Sequence, residues 1–532
     1  MSWDAVVIGA GHHGLVAANL LADAGWSVLV LEANATPGGA TRTAELAAPG
    51  FRSEMASAFY PLTAASPTIK ALGLDEYGLH FKHDRHVPLV HVLPDDRAVT
   101  LSLDVDETAA SVEEFAAGDG DRWREEFAHW LRIKDDVLDS LLTPFPPVRP
   151  GLRLVRRLGT AETLRFARFA LQSTRRYGQE TFQGEGARVL IAGNAMHADL
   201  TLDASGSAIL GWLLSMLAQD VGYPVAEGGA QSIADALVRR LQARGGEVRC
   251  GARVTSVEVR DGVAVGVRTA DGEALAARRA VLADVPAPAL FLDLVGAEHL
   301  PARVRTDLTN FHYDDGTVKV DWALSGPVPW SNPAVHRAGT VHLDLDLDQF
   351  GRFALDLASG RIPERPFILA GQMTSADPSR SPAGTETMWA YTHVPHGLDW
   401  TPELVASVAD RVQATVERHA PGFGDLVVGR AVAGPGDLQA EDANLVDGAI
   451  GGGTAALFQQ LVFRPIPGLG RADTPVDRLF LASSSAHPGG GVHGACGSNA
   501  ARAALARNRT GTGVLYRAAL SGAGRAVWGK TP

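Results

Sequence analysis

The tightest constraint on this chain lies in residues 4–42, DAVVIGAGHHGLVAANLLADAGWSVLVLEANATPGGATR. Ala5 to Ile8 is an apolar run of buried-strand type that ends in Gly9-x-Gly11-x-x-Gly14, and the small residues beyond predict a helix from Leu15 to about Ala24. A second strand is expected over Ser27 to Leu31, with Glu32 at its tip, 21 residues beyond Gly11. Strand, glycines, helix, strand and acid in this order form a dinucleotide-binding βαβ unit. The first glycine allows the tight turn, the second lets a diphosphate approach the backbone, and the third lets the helix pack on the strand; the acid binds a ribose hydroxyl pair.

The rest of the composition describes the body around that unit. With 532 residues, 46% of them hydrophobic and 20% charged, the chain can bury more than one core, so two domains are expected. A formal net charge of −12 supplies no excess of cations to displace phosphate counterions, which argues against a nucleic-acid partner. The two cysteines, Cys250 and Cys496, are too few for a CxxxxC redox pair or a cysteine zinc site and fit a reducing compartment. The first strand begins at residue 4, which leaves no room for a signal peptide, and the longest apolar stretch, Ala208 to Ala218, is too short to span a bilayer. A cytoplasmic protein is expected. Between Arg149 and Arg176, however, eight arginines and a single acid, Glu162, are interleaved with Leu, Phe and Val, and no acid follows Asp477. Such segments read first as solvated helix faces, and alternatively as a peripheral membrane contact through which an apolar substrate enters.

Further along, an amphipathic helix is predicted from Ser232 to Arg244, then strands Glu247 to Arg260 and Val263 to Thr269 joined at Asp261-Gly262, and a short strand Ala280 to Ala283 before Asp284. Thr317 to Leu324 and Val341 to Leu347 alternate as half-buried strands. In the second, alternation turns Leu343, Leu345 and Leu347 inward and His342, Asp344, Asp346 and Asp348 to water, so no metal site is expected there. Trp212, Trp322, Trp389 and Tyr391 read first as core residues, with the lining of an apolar tunnel as the alternative.

Five blocks carry a family resemblance: GAGHHGLVAA (9–18), LEANATPGGATRT (31–43), GYPVAEGGAQSIADAL (222–237), SADPSRSPAGTETMWAYTHVP (375–395) and SSSAHPGGGVHGACGSNAA (483–501). The chain resembles the phytoene dehydrogenase, or carotenoid desaturase-like, family of FAD-dependent proteins with the amine-oxidase fold. It is most similar to the branch called pyridine nucleotide-disulphide oxidoreductase domain-containing protein 2, although redox cysteines are missing. The resemblance implies FAD as cofactor and an α/β fold in which a Rossmann-like FAD-binding domain (1–75, 225–290 and 470–515) joins a discontinuous α+β substrate domain (76–224 and 291–469) and a C-terminal tail (516–532). It implies cofactor contacts from Gly9, Gly11, Gly14 and Glu32, from Gly38, Gly39 and Arg42 around the diphosphate and flavin, and from the backbone of Val254 at the adenine. The loop with Gly489, Gly490, Gly491 and Val492, and the helix start after it, would lie against the isoalloxazine ring.

The implied activity is an FAD-dependent oxidoreductase that introduces or rearranges C=C bonds in an apolar, isoprenoid-like molecule by hydride transfer to flavin. His487 and His493 flank the glycine-rich loop and are the candidate acid–base groups. Gly451-Gly-Gly453 follows no strand, so a built-in NAD(P)H site is not expected, and oxygen or a quinone is the electron acceptor to look for. Oxidation of an amine, alcohol or other small metabolite is the enzymatic alternative. Rab GDP-dissociation inhibitors resemble the same fold and supply a non-enzymatic one, a prenyl- or lipid-binding protein.

Overall fold

A computed structural model describes residues 2–83 and 87–528 and builds them around two seven-stranded sheets. The first sheet has the order Val254–Arg260, Val263–Thr269, Ala274–Ala283, Ser2–Ile8, Val28–Leu31, Glu247–Arg249, with Leu479–Leu481 also paired to Ala274–Ala283. Its central strands run parallel, as an apolar strand feeding a crossover helix requires. Helices His12–Asp23, Gln231–Ala243 and Ala495–Arg507 cover one face through Leu15, Leu21, Ile233, Leu237, Ala500 and Ala504. The hairpin expected at Asp261-Gly262 forms there, with Asp261 at φ 49°. Ala280–Ala283 is the end of a ten-residue strand, Ala274–Ala283.

The second sheet is mixed, in the order Val427–Ala433, Gly316–Leu324, Glu386–Val394, Ile368–Gln372, Ala338–Leu343, Val87–Val92, Ala98–Leu101. Helix Pro402–His419 packs on one face through Val408, Val412 and Val416. Helices Glu185–Met196 and Ser207–Val221 lie near the other face. Because both faces are covered, period-two alternation does not sort water from core here. All nine residues of Gly316–Leu324 are buried rather than half-buried; Lys319 and Asp321 meet as an ion pair inside. The reading of Val341 to Leu347 as one strand with a wet acidic face is likewise corrected. The strand stops at Leu343, His342 and Asp344 are fully buried, and Asp346 turns to cap helix Leu347–Ala358 by accepting the Gln349 N–H.

The basic segment folds as helices Val148–Leu171 and Thr174–Thr181, the first broken at Gly159. The C-terminal segment forms helix Thr512–Trp528, anchored where Tyr516 Oη donates to Asp473 and Trp528 Nε1 to the Pro467 carbonyl. No helix among the described residues is long and apolar enough to cross a membrane.

Candidate flavin-binding and active site

Gly9 sits at φ 92°, a conformation L side chains rarely adopt, and turns the chain from strand Ser2–Ile8 into helix His12–Asp23. A Cβ on Gly11 would come 2.5 Å from Asp284 Oδ2, so the cradle tolerates no side chain there. Gly38 N–H donates to the Ala10 carbonyl at 2.9 Å, which lays the Gly38-Gly39 turn on the first glycine turn. Arg42 is buried with Nε on the Gly39 carbonyl (2.9 Å) and Nη2 on the Glu441 carbonyl (2.6 Å). Glu32, also buried, accepts the N–H groups of Ala10 and Asn34, each at 2.8 Å. The chain after Cys250 is pinned to this acid, with Gly251 N–H on the Asn34 carbonyl and Ala252 N–H on the Glu32 carbonyl, and this places Val254 at the start of its strand nearby.

The second glycine-rich loop, 486–494, returns to the same place. His12 Nε2 donates to the Gly491 carbonyl at 3.3 Å, Thr63 Oγ1 donates to the Val492 carbonyl, and Ser66 Oγ donates to the His493 carbonyl at 2.7 Å. The helices His12–Asp23 and Ala495–Arg507 cross with Gly497 against the His13 carbonyl, so their N-terminal ends open close together. Their positive ends suit two anionic regions of one ligand, a diphosphate at the first and a reduced flavin's pyrimidine edge at the second. The glycines, the acid at the second strand and the paired helix ends fit FAD. Bound there, the flavin supplies a two-electron hydride acceptor.

Sequence reasoning passed over four groups that the fold brings to this cradle. Asp284, at the end of strand Ala274–Ala283, accepts the Gly14 N–H at 2.8 Å; Asn444 Nδ2 donates to its carbonyl at 3.0 Å; Asp442 approaches Gly39. Arg464, buried, threads the second loop with Nη2 on the carbonyls of Ser484 (2.7 Å) and Gly453 (3.0 Å) and Nη1 on the Thr454 carbonyl (2.8 Å). Gly451–Gly453 thus packs on the second glycine-rich loop, Ser485 Oγ donating to the Gly452 carbonyl at 2.7 Å. The usable signal for Asp284 was its position: a residue ending a strand parallel to Ser2–Ile8 must meet the first turn.

The two candidate bases differ in what their nitrogens do. His493 Nε2 donates to the Gly489 carbonyl (3.2 Å) and Nδ1 accepts the Ala495 N–H (3.0 Å), so both are committed to the loop. Burial holds its pKa down at about 3. That commitment also leaves His13, His493 and Cys496, gathered within 4.8 Å, short of a metal-ligand set. His487 Nε2 donates to the Thr143 carbonyl at 3.1 Å, which leaves Nδ1 an unprotonated nitrogen without a partner. Burial lowers its pKa to about 4.

Beside these loops stands an aromatic group. Ser57 Oγ donates to the Ala40 carbonyl (2.9 Å), and two residues on, Phe59 lies with ring centroids 6.0 Å from Trp389 and 6.4 Å from Tyr223, while Trp389 stacks on Tyr391 at 6.0 Å. Phe59 and Tyr391 are only partly buried. Trp212 and Trp322 are core residues of the helical layer and the second sheet. Behind Tyr391, His393 meets Asp199 at 2.5 Å. Burial works against the charged imidazole, but Asp199, Asp315 and Asp314 outweigh it and raise the His393 pKa. Burial, with Asp199 nearby, pushes Asp315 up to about 6.

Residues 14–505 match the model of the flavin containing amine oxidoreductases. The chain is 28% identical to the rat pyridine nucleotide-disulfide oxidoreductase domain-containing protein 2 over 94% of its own length and 92% of that protein's. It is 25% identical to the neurosporene-forming phytoene desaturase of Rhodobacter capsulatus, covering 93% and 92%. Its fold matches cyclohexylamine oxidase from Brevibacterium oxydans with a TM-score of 0.59 at 17% identity, over 95% of this chain and 99% of that one. The chain belongs to the flavin containing amine oxidoreductase family and is an FAD-dependent oxidoreductase.

Proposed function

We propose that the protein introduces or rearranges C=C bonds in an apolar, isoprenoid-like substrate, passing hydride to FAD and then electrons to oxygen or a quinone. The observation that carries this reading is the Phe59, Tyr223, Trp389 and Tyr391 array near the Gly38–Arg42 turn, in which Tyr223 and Trp389 are buried and Phe59 and Tyr391 remain partly open. Flat aromatic walls hold an extended hydrocarbon by dispersion and exclude water, which hydride transfer from carbon requires. The Rhodobacter relative, a phytoene desaturase by name, supports the same substrate class. His487 is the proton acceptor in this scheme: its Nδ1 is free while Nε2–H is held by Thr143, and neutrality at pH 7 keeps the lone pair available. His493, with both nitrogens on backbone, keeps the loop in shape. In this reading the substrate enters from a membrane surface touched by the basic helices, and the protein works in the cytoplasm with a peripheral membrane contact.

A second reading, oxidation of an amine, is favoured by one observation: the partly exposed acid Asp315 lies near Asp199 and His393, where a cation could pair. Anaerobic bleaching of the bound flavin by a substrate panel separates the two. Polyene precursors and cyclic terpenes should bleach it and primary amines should not; bleaching by amines alone overturns the proposal. His487→Ala should keep its flavin yet slow reduction about ten- to a thousand-fold. Full reduction by NADPH without organic substrate would reverse the direction of the chemistry.

A further inference from the structure

The three glycines of the first turn close around one side chain. Asp284 N–H donates to the Ile8 carbonyl at 2.7 Å, fixing the residue where its strand ends beside Ser2–Ile8. Its Oδ2 accepts the Gly14 N–H at 2.8 Å, lies 2.5 Å from where a Cβ on Gly11 would stand, and its Cβ lies 3.3 Å from the same point on Gly9. The carboxyl therefore occupies the floor of the surface that receives the diphosphate.

The surroundings make an ionised carboxylate costly there. Asp284 is 5% exposed. Across the cradle stand two further acids, Glu32 from the second strand and Asp442 from the segment over Gly39. From the helix starts come His12 and His13, both neutral through burial, and the Cys496 thiol, whose pKa burial pushes up to about 12. The nearby cation, Arg42, faces Asp442 and spends its Nε and Nη2 on the carbonyls of Gly39 and Glu441. A diphosphate brings two more negative charges to the same low-dielectric spot, and repulsion between unit charges a few ångströms apart is worth several kcal/mol even at an effective dielectric constant of about 20.

We propose that Asp284 is a protonated acid that donates a hydrogen bond to the FAD diphosphate while accepting one from Gly14, so that cofactor binding is coupled to one proton. The helix end alone offers amides; Asp284 converts what would be a repulsive anion into a donor aimed at a phosphate oxygen, a bond strengthened by the acceptor's charge. Burial raises the pKa of this carboxyl, the Gly14 N–H lowers it, and Asp442 and Glu32 raise it again, giving about 8 before any phosphate arrives. A bound dianion raises it further, so above pH 8 FAD must bring a proton with it.

The test is FAD affinity of flavin-stripped protein, measured by flavin fluorescence from pH 6.5 to 9.5, with calorimetry in two buffers of different ionisation enthalpy. The expected result is constant affinity below pH 7.5, weakening toward about tenfold per pH unit above 8, and uptake approaching one proton per FAD at pH 9. Asp284→Asn, which keeps an acceptor for Gly14 and a neutral donor for phosphate, should bind within about threefold of wild type at pH 7 and lose the slope. Cys250→Ser and Asp442→Asn should each keep the slope, since that thiol, raised by burial and by Glu32, and that acid, raised by burial, are further groups near Glu32 whose titration would otherwise compete as its source. A flat profile with no proton uptake in the wild-type protein overturns the proposal, as does an unchanged slope in Asp284→Asn. Neither result touches the substrate reading above, which flavin bleaching tests separately.

Discussion

The two sheets use polar residues in different ways: the first leaves outer strands such as Val254–Arg260 and Val263–Thr269 partly open to water, whereas Gly316–Leu324 and Ala338–Leu343 in the second are buried throughout. In the first, the buried acids of the cradle stand at strand tips: Glu32 follows one strand and Asp284 another, while Asp4 with Arg278 and Arg279 forms an ion-pair group at the opposite end of the same strands. In the second, polar groups are built into the strands and their ends: the ion pairs of Lys319 with Asp321, Asp344 with His419 and Arg418, and His393 with Asp199, and the neutral hydrogen-bonded rings of His342 and His197. Groups at strand tips face a crevice and are free to meet a ligand, as open α/β sheets do at the carboxyl ends of their strands. Groups inside a doubly covered sheet must satisfy one another, so they hold the layers together and shape a chamber. Changes in the first region should therefore alter cofactor binding and spare stability, and changes in the second should do the reverse.

The strongest way to break that contrast is Gly11→Val. The added side chain meets Asp284 Oδ2 and stands where the diphosphate comes, so the variant should fold and purify colourless, its FAD affinity down by more than about a hundredfold. Bound flavin at the wild-type ratio would mean that the diphosphate lies elsewhere.

Lys319→Met probes the other sheet. Lys319 and Asp321 are each under 5% exposed, and burial raises the Asp321 pKa with the lysine opposing it only in part. Removing one partner of a buried pair costs about 3–5 kcal/mol, whereas replacing both with apolar residues is often nearly neutral. Urea unfolding should show that loss in Lys319→Met and its recovery in Lys319→Met with Asp321→Leu, with flavin content per folded molecule unchanged in both. A cost below about 1 kcal/mol would show that the pair is solvated and that the second sheet does not depend on it.

Glu32→Ala is a smaller effect and returns to the cradle. A charge-assisted hydrogen bond to a ribose hydroxyl is worth about 1.5–3 kcal/mol, roughly one to two decades in FAD affinity. The Ala10 and Asn34 amides that Glu32 also binds would be left to water, so a small drop in melting temperature should accompany it. Equal FAD affinity in the variant and the wild type would remove Glu32 from the ribose.

The same contrast explains how much could be read from the sequence. The first turn, Glu32 and the Gly38–Arg42 turn were legible because their spacing is local and each residue type has one physical task there. The second glycine loop was legible as a loop, and the fold brings it to His12 and Ser66. Asp284 and Asp442 were not, because what they meet is far off in the chain: 270 residues separate Gly14 from Asp284, and Asp442 comes against Gly39. Arg464 binds carbonyls only 10 to 20 residues away, but an irregular loop has no period to announce them. Strand Val341 to Leu347 misled for a related reason. Alternation is a signal only when one face is wet, and helices on both sides of the second sheet remove that condition at His342 and Asp344.

The smallest expected effect concerns the basic helices, which belong to neither sheet. Val148, Leu152, Val155, Leu164 and Leu171 are exposed along helix Val148–Leu171, as an interfacial face would be. The arginines are largely spent: Arg153 and Arg157 pair with Asp136, Arg165 with Glu162, Arg168 and Arg176 with Glu180, and Arg175 with Asp203. Among the described residues only Arg149 and Arg156 of the eight make no ion pair. At about 1 kcal/mol for each free arginine near an anionic surface, preference for anionic over neutral vesicles should be about thirtyfold at low ionic strength, far below what eight free charges would give. Salt at 0.5 M should abolish it, because these charges are exposed and screened within a few ångströms. Arg149→Ala with Arg156→Ala should equalise the two vesicle types, while Arg153→Ala made together with Asp139→Ala should leave the ratio nearly unchanged, since that pair carries no net charge and Asp136 keeps Arg157. Equal binding of the wild-type protein to both vesicles would leave this face an ordinary solvated helix, with the exposed leucines and valines covered by something other than an anionic membrane.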